Sequence, residues 1–460
     1  MAIFTAILVL ACLFSGWPDV TAQGADNIDI AALRKTLQSA IELEWATIPP
    51  YLNAALSIKN GTNKPVNGIL WSILYNEMDH MALASNMLNA IGGAPVLNDP
   101  ARTPRYPGPL PAGCLPDLNV TLEKMTRAHT ERVFMGIETP ECEDSVTKYH
   151  DLISKAASPE ASNKTSQSVE DAFPGLLAKC NERGFSPATI GAIYIHKILC
   201  PMLKLEMQAQ GSPEGTIFTG DPGRQVSIPF KVSNLTTAIR AIAFITSQGE
   251  GGDACNPYVD DQFTDNNKKK VPSHYFKFAE IVNGKEVEYG GNSCPARQPW
   301  CRDYFAPCNG INCENAITFN GTEVPFDENE VWPIISNPST DLYPPGSMAR
   351  NLSDAFNAEY VSLMQCLHDA VNGQPDKMFG ECIPDMKGLR SIGNQLVQTP
   401  INPGGDPAVG PNASPTYEVQ GSLLNGKADS ASARSYPQKL FSLFLSCSFI
   451  FRAMTTLVAC

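Results

Sequence analysis

The chain has 460 residues, 43% hydrophobic and 18% charged, a balance that supports a sizeable buried core and excludes a disordered or fibrous chain. Its net charge of -13 and pI near 5.0 exclude nucleic acid as a partner, because displacing counterions from phosphates takes a basic surface. Fourteen cysteines and N-x-S/T sequons, among them Asn60, Asn119, Asn163, Asn234, Asn320 and Asn351, fit an oxidising, glycosylating route.

From the start of the chain, Ile3 to Phe14 is almost wholly apolar and Val20-Thr21-Ala22 offers small residues for cleavage, so residues 1–22 read as a signal peptide. Pro18 and Asp19 interrupt the stretch well before the roughly 20 apolar residues that a membrane span needs. A first helix is expected from about Ile30, capped by Asp29, with Leu33, Leu37, Ala40 and Glu44 on one face. That phase puts a carboxylate on the buried stripe. Pro49 and Pro50 are expected to kink or end the helix before Tyr51.

A second helix is expected from about Ile69 to Ile91, with Leu70, Ile73, Glu77, His80, Ala84, Met87 and Ile91 on one face and Gly92-Gly93 closing it. Glu77 and His80 stand one turn apart on an otherwise apolar stripe, so their burial calls for a partner, and a metal ion meets that need. The third helix is predicted over about Asn119 to Glu138, with Glu131 and Glu138 sharing a face that ends at Thr139-Pro140. Ser186-Pro187 reads as the cap and first position of the next helix, which contains His196, a lone histidine more often structural than ligating.

Further on, a helix through Ile239, Ala243 and Thr246 reaches Glu250, and Ser273 caps one that begins with His274 and buries Phe278 and Ile281. Helices are also expected over Asp354 to Ala370 and Asp385 to Leu396. Cys294, Cys301, Cys308 and Cys313 lack zinc-ligand spacing and read as local disulfides. The whole is mainly α: a helical body over 26–399 with long irregular, disulfide-bonded insertions near 211–232 and 285–345, then a 400–433 linker and a 434–460 hydrophobic tail. Ser430-Ala431-Ser432, a polar spacer and Leu440 to Ile450 fit a lipid-anchor (GPI) attachment signal, with a short membrane helix or a buried amphipathic helix as rivals. The expected location is therefore secreted or on the outer face of the plasma membrane.

One E-x-x-H is weak by itself. The full in-phase set carries the reading: Glu44, Glu77 with His80, Glu138 and Glu250, with His274 on a following helix and Tyr51 near them as a candidate catalytic side chain. Oxygen and imidazole donors without thiolate suit iron, or alternatively manganese, more than copper or structural zinc. Acids that merely hydrogen-bond within the core are the competing explanation, although four of them together repel unless protonated or neutralised.

At these residues the chain resembles a known family. "LQSAIELEWATIPPYL", "NEMDHMALASNMLNAIGGAP", "YPGPLP", "IETPE", "QGEGG", "SHYFKFAEIVNGK", "YPPGS" and "PTYE" occur in the order of the iminophenyl-pyruvate dimer synthase family, which includes the ferritin-like part of the VioB proteins. The resemblance spans about Asp29 to Val419 and implies a ferritin-like bundle with the same six ligands. It further implies a metal-dependent oxidoreductase that couples imines derived from aromatic 2-oxo acids, with a small aromatic molecule as partner. Two other functions remain open from the residues: an extracellular glycosylated binding protein on the same scaffold, and iron handling or peroxide removal.

Overall fold

Asp29 starts the first helix as expected: its carboxylate accepts the Ala31 N–H at 3.1 Å, and α1 runs Ile30–Ser57. The computed structural model describes residues 29–140, 152–153, 155–157, 169–181, 189–249, 256–264, 270–290 and 317–419. The signal peptide, Asn163, the Ser186-Pro187 cap, Glu250, the four cysteines from Cys294 to Cys313 and the hydrophobic tail lie outside the described residues.

Helix α1 does not end at Pro49 and Pro50 but contains both. Pro50 has no N–H to offer the Ala46 carbonyl one turn back, and the Tyr106 hydroxyl donates to that carbonyl instead, at 2.7 Å. A distant side chain thus replaces the donor missing at Pro50. Helix α2, Lys64–Ala90, begins earlier than its apolar pattern does, with Pro65 in the first turn, where a missing N–H costs nothing. The stripes assigned from the sequence are buried along their whole length on both helices, which pack against each other.

Helix α3 begins at Arg127 rather than Asn119, in three parts: Arg127–His129, a π-helical turn Thr130–Phe134, and Met135–Ile137. Thr126 caps it by accepting the His129 N–H at 3.0 Å, while Val120 upstream is held in an antiparallel bridge with Gly108. The wide turn shifts the phase: Glu131 points to solvent and only Glu138 is buried, so the two do not share a face.

Helix α4 likewise passes from Ile190–Ala192 through a π-helical stretch, Ile193–Leu199, into Cys200–Ala209, and Cys200 is bridged to Cys180 at the end of a short helix, Pro174–Cys180. Its cap within the described residues is Thr189. Helix α5, Leu235–Gln248, opens with a capping box between Asn234 and Thr237, and α6, His274–Asn283, follows. Helix α7, Met348–Val371, is about two turns longer than expected, most of it at the start, where Ser347 accepts the Arg350 N–H at 3.1 Å and caps the helix. A Cys366–Cys382 disulfide joins it to α8, Ile383–Leu396.

The 211–232 insertion is irregular and is pinned to α2 by Asn86 Nδ2, which donates to the Val226 and Phe230 carbonyls, each at 2.9 Å. Part of the other insertion forms a two-stranded antiparallel ribbon, β1 (Glu288–Tyr289) against β2 (Ile317–Thr318). Residues 400–419, read as linker, instead lie against the helices: Ser414 Oγ donates to Asn53 Oδ1 at 2.7 Å and Tyr417 is buried. Among the described residues no helix is long and apolar enough to cross a membrane.

Candidate metal centre

The helices bring five of the proposed ligands to one buried place. Glu44 comes from the middle of α1, Glu77 and His80 from α2, Glu138 from the end of α3, and His274 from the first turn of α6. None is more than 1% exposed. They form two triads, Glu44–Glu77–His80 and Glu77–Glu138–His274, each with its donor atoms within 4.8 Å of one another, and Glu77 belongs to both. His80 Nδ1 lies 3.6 Å from Glu44 Oε2 and 3.9 Å from Glu77 Oε1. His274 Nδ1 lies 2.9 Å from the same Glu77 oxygen and 3.5 Å from Glu138 Oε2.

Each side chain has one atom tethered by a neutral neighbour and another left facing the centre. Tyr194 donates to Glu44 Oε1, Thr47 Oγ1 to Glu77 Oε2 at 2.8 Å, and Tyr51 to Glu138 Oε1 at 2.7 Å. His80 Nε2 meets Gln248 Oε1 at 3.1 Å and His274 Nε2 meets Asn76 Oδ1 at 3.3 Å. Because those amide oxygens only accept, each imidazole holds a proton on Nε2 and turns Nδ1 toward the centre. Such neighbours fix both tautomer and ring direction for metal ligands.

The inward atoms Glu44 Oε2, Glu77 Oε1, Glu138 Oε2 and His274 Nδ1 are buried with no hydrogen-bond partner among the described residues. The 2.9 Å approach of His274 Nδ1 to Glu77 Oε1 lacks the angle of a hydrogen bond, so the two polar atoms are pressed together without satisfying each other. Burial disfavours the charged form of His80, but the Glu44 carboxylate 3.6 Å away and the charge of Glu77 outweigh this and push it up to about 9. At neutral pH its imidazole holds a proton that an arriving cation must displace. Gly249, just past α5, closes the wall so tightly that a Cβ there would lie 2.6 Å from His274 Nδ1 and 2.7 Å from Glu138 Oε2. A cradle of hard donors walled to this tolerance fits a bare cation.

Of the other residues named from the sequence, Glu250 lies outside the described residues, one position past Gly249. Glu131 is exposed, and half-buried His196 belongs to neither triad; burial and the nearby Lys179 charge lower its pKa. Tyr51 is fully buried between the Phe134 and Phe278 rings, with its hydroxyl on Glu138. The sequence reading missed Tyr194, Thr47, Asn76 and Gln248. Thr47 sits one turn after Glu44, Asn76 adjoins Glu77 and Gln248 stands two positions before Glu250; these spacings were the available signals. Tyr194 lies in the π-helical stretch, where regular helical phasing does not point to the centre.

Comparison with known proteins agrees with this architecture. A family model described as Ferritin-like matches residues 37–283, which include every residue of both triads. Among solved structures, the chain is similar to a ferritin-like protein from Caulobacter vibrioides, with 18% identity over 80% of this chain and 94% of that one and a TM-score of 0.45. No curated protein matches it in sequence. With more than half of its length matched by the family model, the chain belongs to the ferritin-like family.

Proposed function

We propose that this chain is a metal-dependent oxidoreductase of the iminophenyl-pyruvate dimer synthase type, acting on an imine derived from an aromatic 2-oxo acid. The observation that carries the metal reading is the convergence of four buried, unpartnered donor atoms from four helices, since leaving such atoms unsatisfied is costly unless a cation joins them. Glu44, Glu77 and His80 would hold one ion, and Glu77, Glu138 and His274 a second; iron is the proposed metal and manganese the alternative. A redox ion in such a site supplies one-electron oxidising steps, with oxygen or peroxide as the oxidant.

The chain's own groups hold and shield the centre. Tyr194, Thr47 and Tyr51 each donate to a carboxylate oxygen and aim its mate inward, while Phe134, Phe244 and Phe278 pack nearby as apolar walls that exclude water. Tyr51 also keeps a transferable proton 2.7 Å from Glu138. The test is metal content by elemental mass spectrometry on the full chain, followed by oxygen- or peroxide-driven oxidation of aromatic 2-oxo acid imines. Stoichiometric iron or manganese with coupled product supports the reading. Metal without turnover leaves iron handling or peroxide removal, and no metal after reconstitution returns the chain to a binding scaffold.

We infer, too, that the chain is exported and glycosylated. The asparagines of the five sequons within the described residues, Asn60, Asn119, Asn234, Asn320 and Asn351, are exposed, whereas Asn412, which also begins an N-x-S triplet, is fully buried. Asn412 Nδ2 donates to the Val397 and Pro407 carbonyls, each at 2.9 Å. Glycopeptide mass spectrometry of protein from secreting cells is expected to find glycans among those five and none at Asn412. Occupancy at Asn412 alone, or none anywhere, would sink the inference.

A further inference from the structure

One turn past His274, α6 carries a charge that the proposed centre does not use. Lys277 is only 9% exposed, and among the described residues its one polar contact is a hydroxyl, Ser72 Oγ on α2, 3.4 Å from Nζ. Burial pushes Lys277 down to about 8, against the pull of Glu138, Glu280 and Glu77, so it remains mostly charged at neutral pH. A buried ammonium with so little direct pairing is held there by the field of the carboxylates around it.

Two rungs between α6 and α2 fix where that charge lies. His274 Nε2 faces Asn76 Oδ1 at 3.3 Å, and Lys277 Nζ faces Ser72 Oγ at 3.4 Å. The rungs are one turn apart on both helices, which here run antiparallel, and His80 lies a turn along α2 in the opposite direction. The ammonium thus sits beyond the Glu77–Glu138–His274 triad, on the side away from His80.

We propose that Lys277 makes the two triads unequal, weakening the hold of Glu77–Glu138–His274 on a divalent cation relative to Glu44–Glu77–His80. The inference rests on the reading of the triads as metal sites. Inside a protein, repulsion between an ammonium and an incoming divalent ion is poorly screened and falls with distance, so the nearer triad bears more of it. The same charge partly neutralises Glu138 and Glu77 while that triad is empty, which lowers the gain from filling it. The first ion therefore enters beside His80, and the second, beside His274, is the exchangeable one.

Calorimetric titration of the full metal-free chain with Mn²⁺, which needs no turnover, tests this. The unmodified chain is expected to bind in two steps whose Kd values differ by about tenfold or more. Lys277→Met, which keeps length and removes charge, should tighten the second step by about tenfold and leave the first in place, whereas Lys277→Arg should keep the separation. Should Lys277→Met not fold, Ser72→Asp sets a counter-charge against the ammonium and should tighten the second step in the same direction. Two equal steps in the unmodified chain, or a second step unmoved by loss of the charge, overturn the proposal while leaving the metal centre intact. Absence of both steps in the unmodified chain overturns the metal-centre reading and this proposal with it.

Discussion

Glu77→Gln is expected to strip both ions from the protein, whereas Glu44→Gln removes only the one beside His80. Glutamine keeps the shape of the side chain and an oxygen for Thr47, which now donates to Glu77 Oε2 at 2.8 Å, so the fold loses little. What it removes is the anionic oxygen Oε1, the one that lies near both His80 Nδ1 and His274 Nδ1, at 3.9 and 2.9 Å. Altering a residue that merely orients a ligand typically costs roughly 10- to 100-fold in metal affinity, so losing the shared ligand should exceed about 100-fold at both positions. Elemental analysis and Mn²⁺ titration of the two variants separate these outcomes, with far-UV circular dichroism as the check on folding. Full metal content in Glu77→Gln would remove the basis for a shared ligand.

The second large effect is expected at Gly249. Its φ of -138° does not itself call for glycine; the requirement is space. A methyl group there meets His274 Nδ1 at 2.6 Å and Glu138 Oε2 at 2.7 Å, the atoms that define the second triad's interior. Real carbon contacts are not that short, so Gly249→Ala must push one of the two ligands aside. The variant should lose the ion beside His274, keep the ion beside His80, and be destabilised by about 1–3 kcal/mol, the usual range for overfilling a packed interior. Metal stoichiometry and thermal melting report the two effects separately. If Gly249→Ala binds two ions with unchanged affinity, the second triad is not where a cation sits.

Together the two variants also separate a metal centre from a purely structural polar core. In a structural core, replacing one of several crowded carboxylates by its amide relieves repulsion and changes no metal content. In a metal centre the same change has a large effect on binding and a small one on the fold. The buried donor atoms, each with its mate tethered by a hydroxyl or an amide, favour the second outcome.

Legibility in the sequence followed the range of the interactions involved. Helix phase is local, set by about 3.6 residues per turn, so the alternation of apolar residues sufficed to place Glu44 on the inner face of α1 and Glu77 with His80 on that of α2. The cap at Asp29 is equally local and is used for the same reason. The same rules failed where a distant group or an irregular turn intervened. The double proline did not end α1, and Tyr106, 60 positions along the chain, supplies Ala46 with the donor that Pro50 lacks. The widened turn at Thr130–Phe134 sent Glu131 outward, and the widened turn at Ile193–Leu199 accompanies the inward placing of Tyr194.

By itself, then, the amino-acid sequence determined that the chain is mainly helical and that particular acids and imidazoles lie on buried stripes, because both properties follow from backbone geometry and the burial of apolar surface within a single helix. Only the tertiary structure decided which of those groups meet. His274 reaches Glu77 across a separation of 197 residues and Tyr194 reaches Glu44 across 150, and no local rule sets the crossing of helices that far apart. Their convergence depends on how whole helices pack, which is why the triads, their tethering neighbours and the unequal charge beside them appear only once the bundle is assembled.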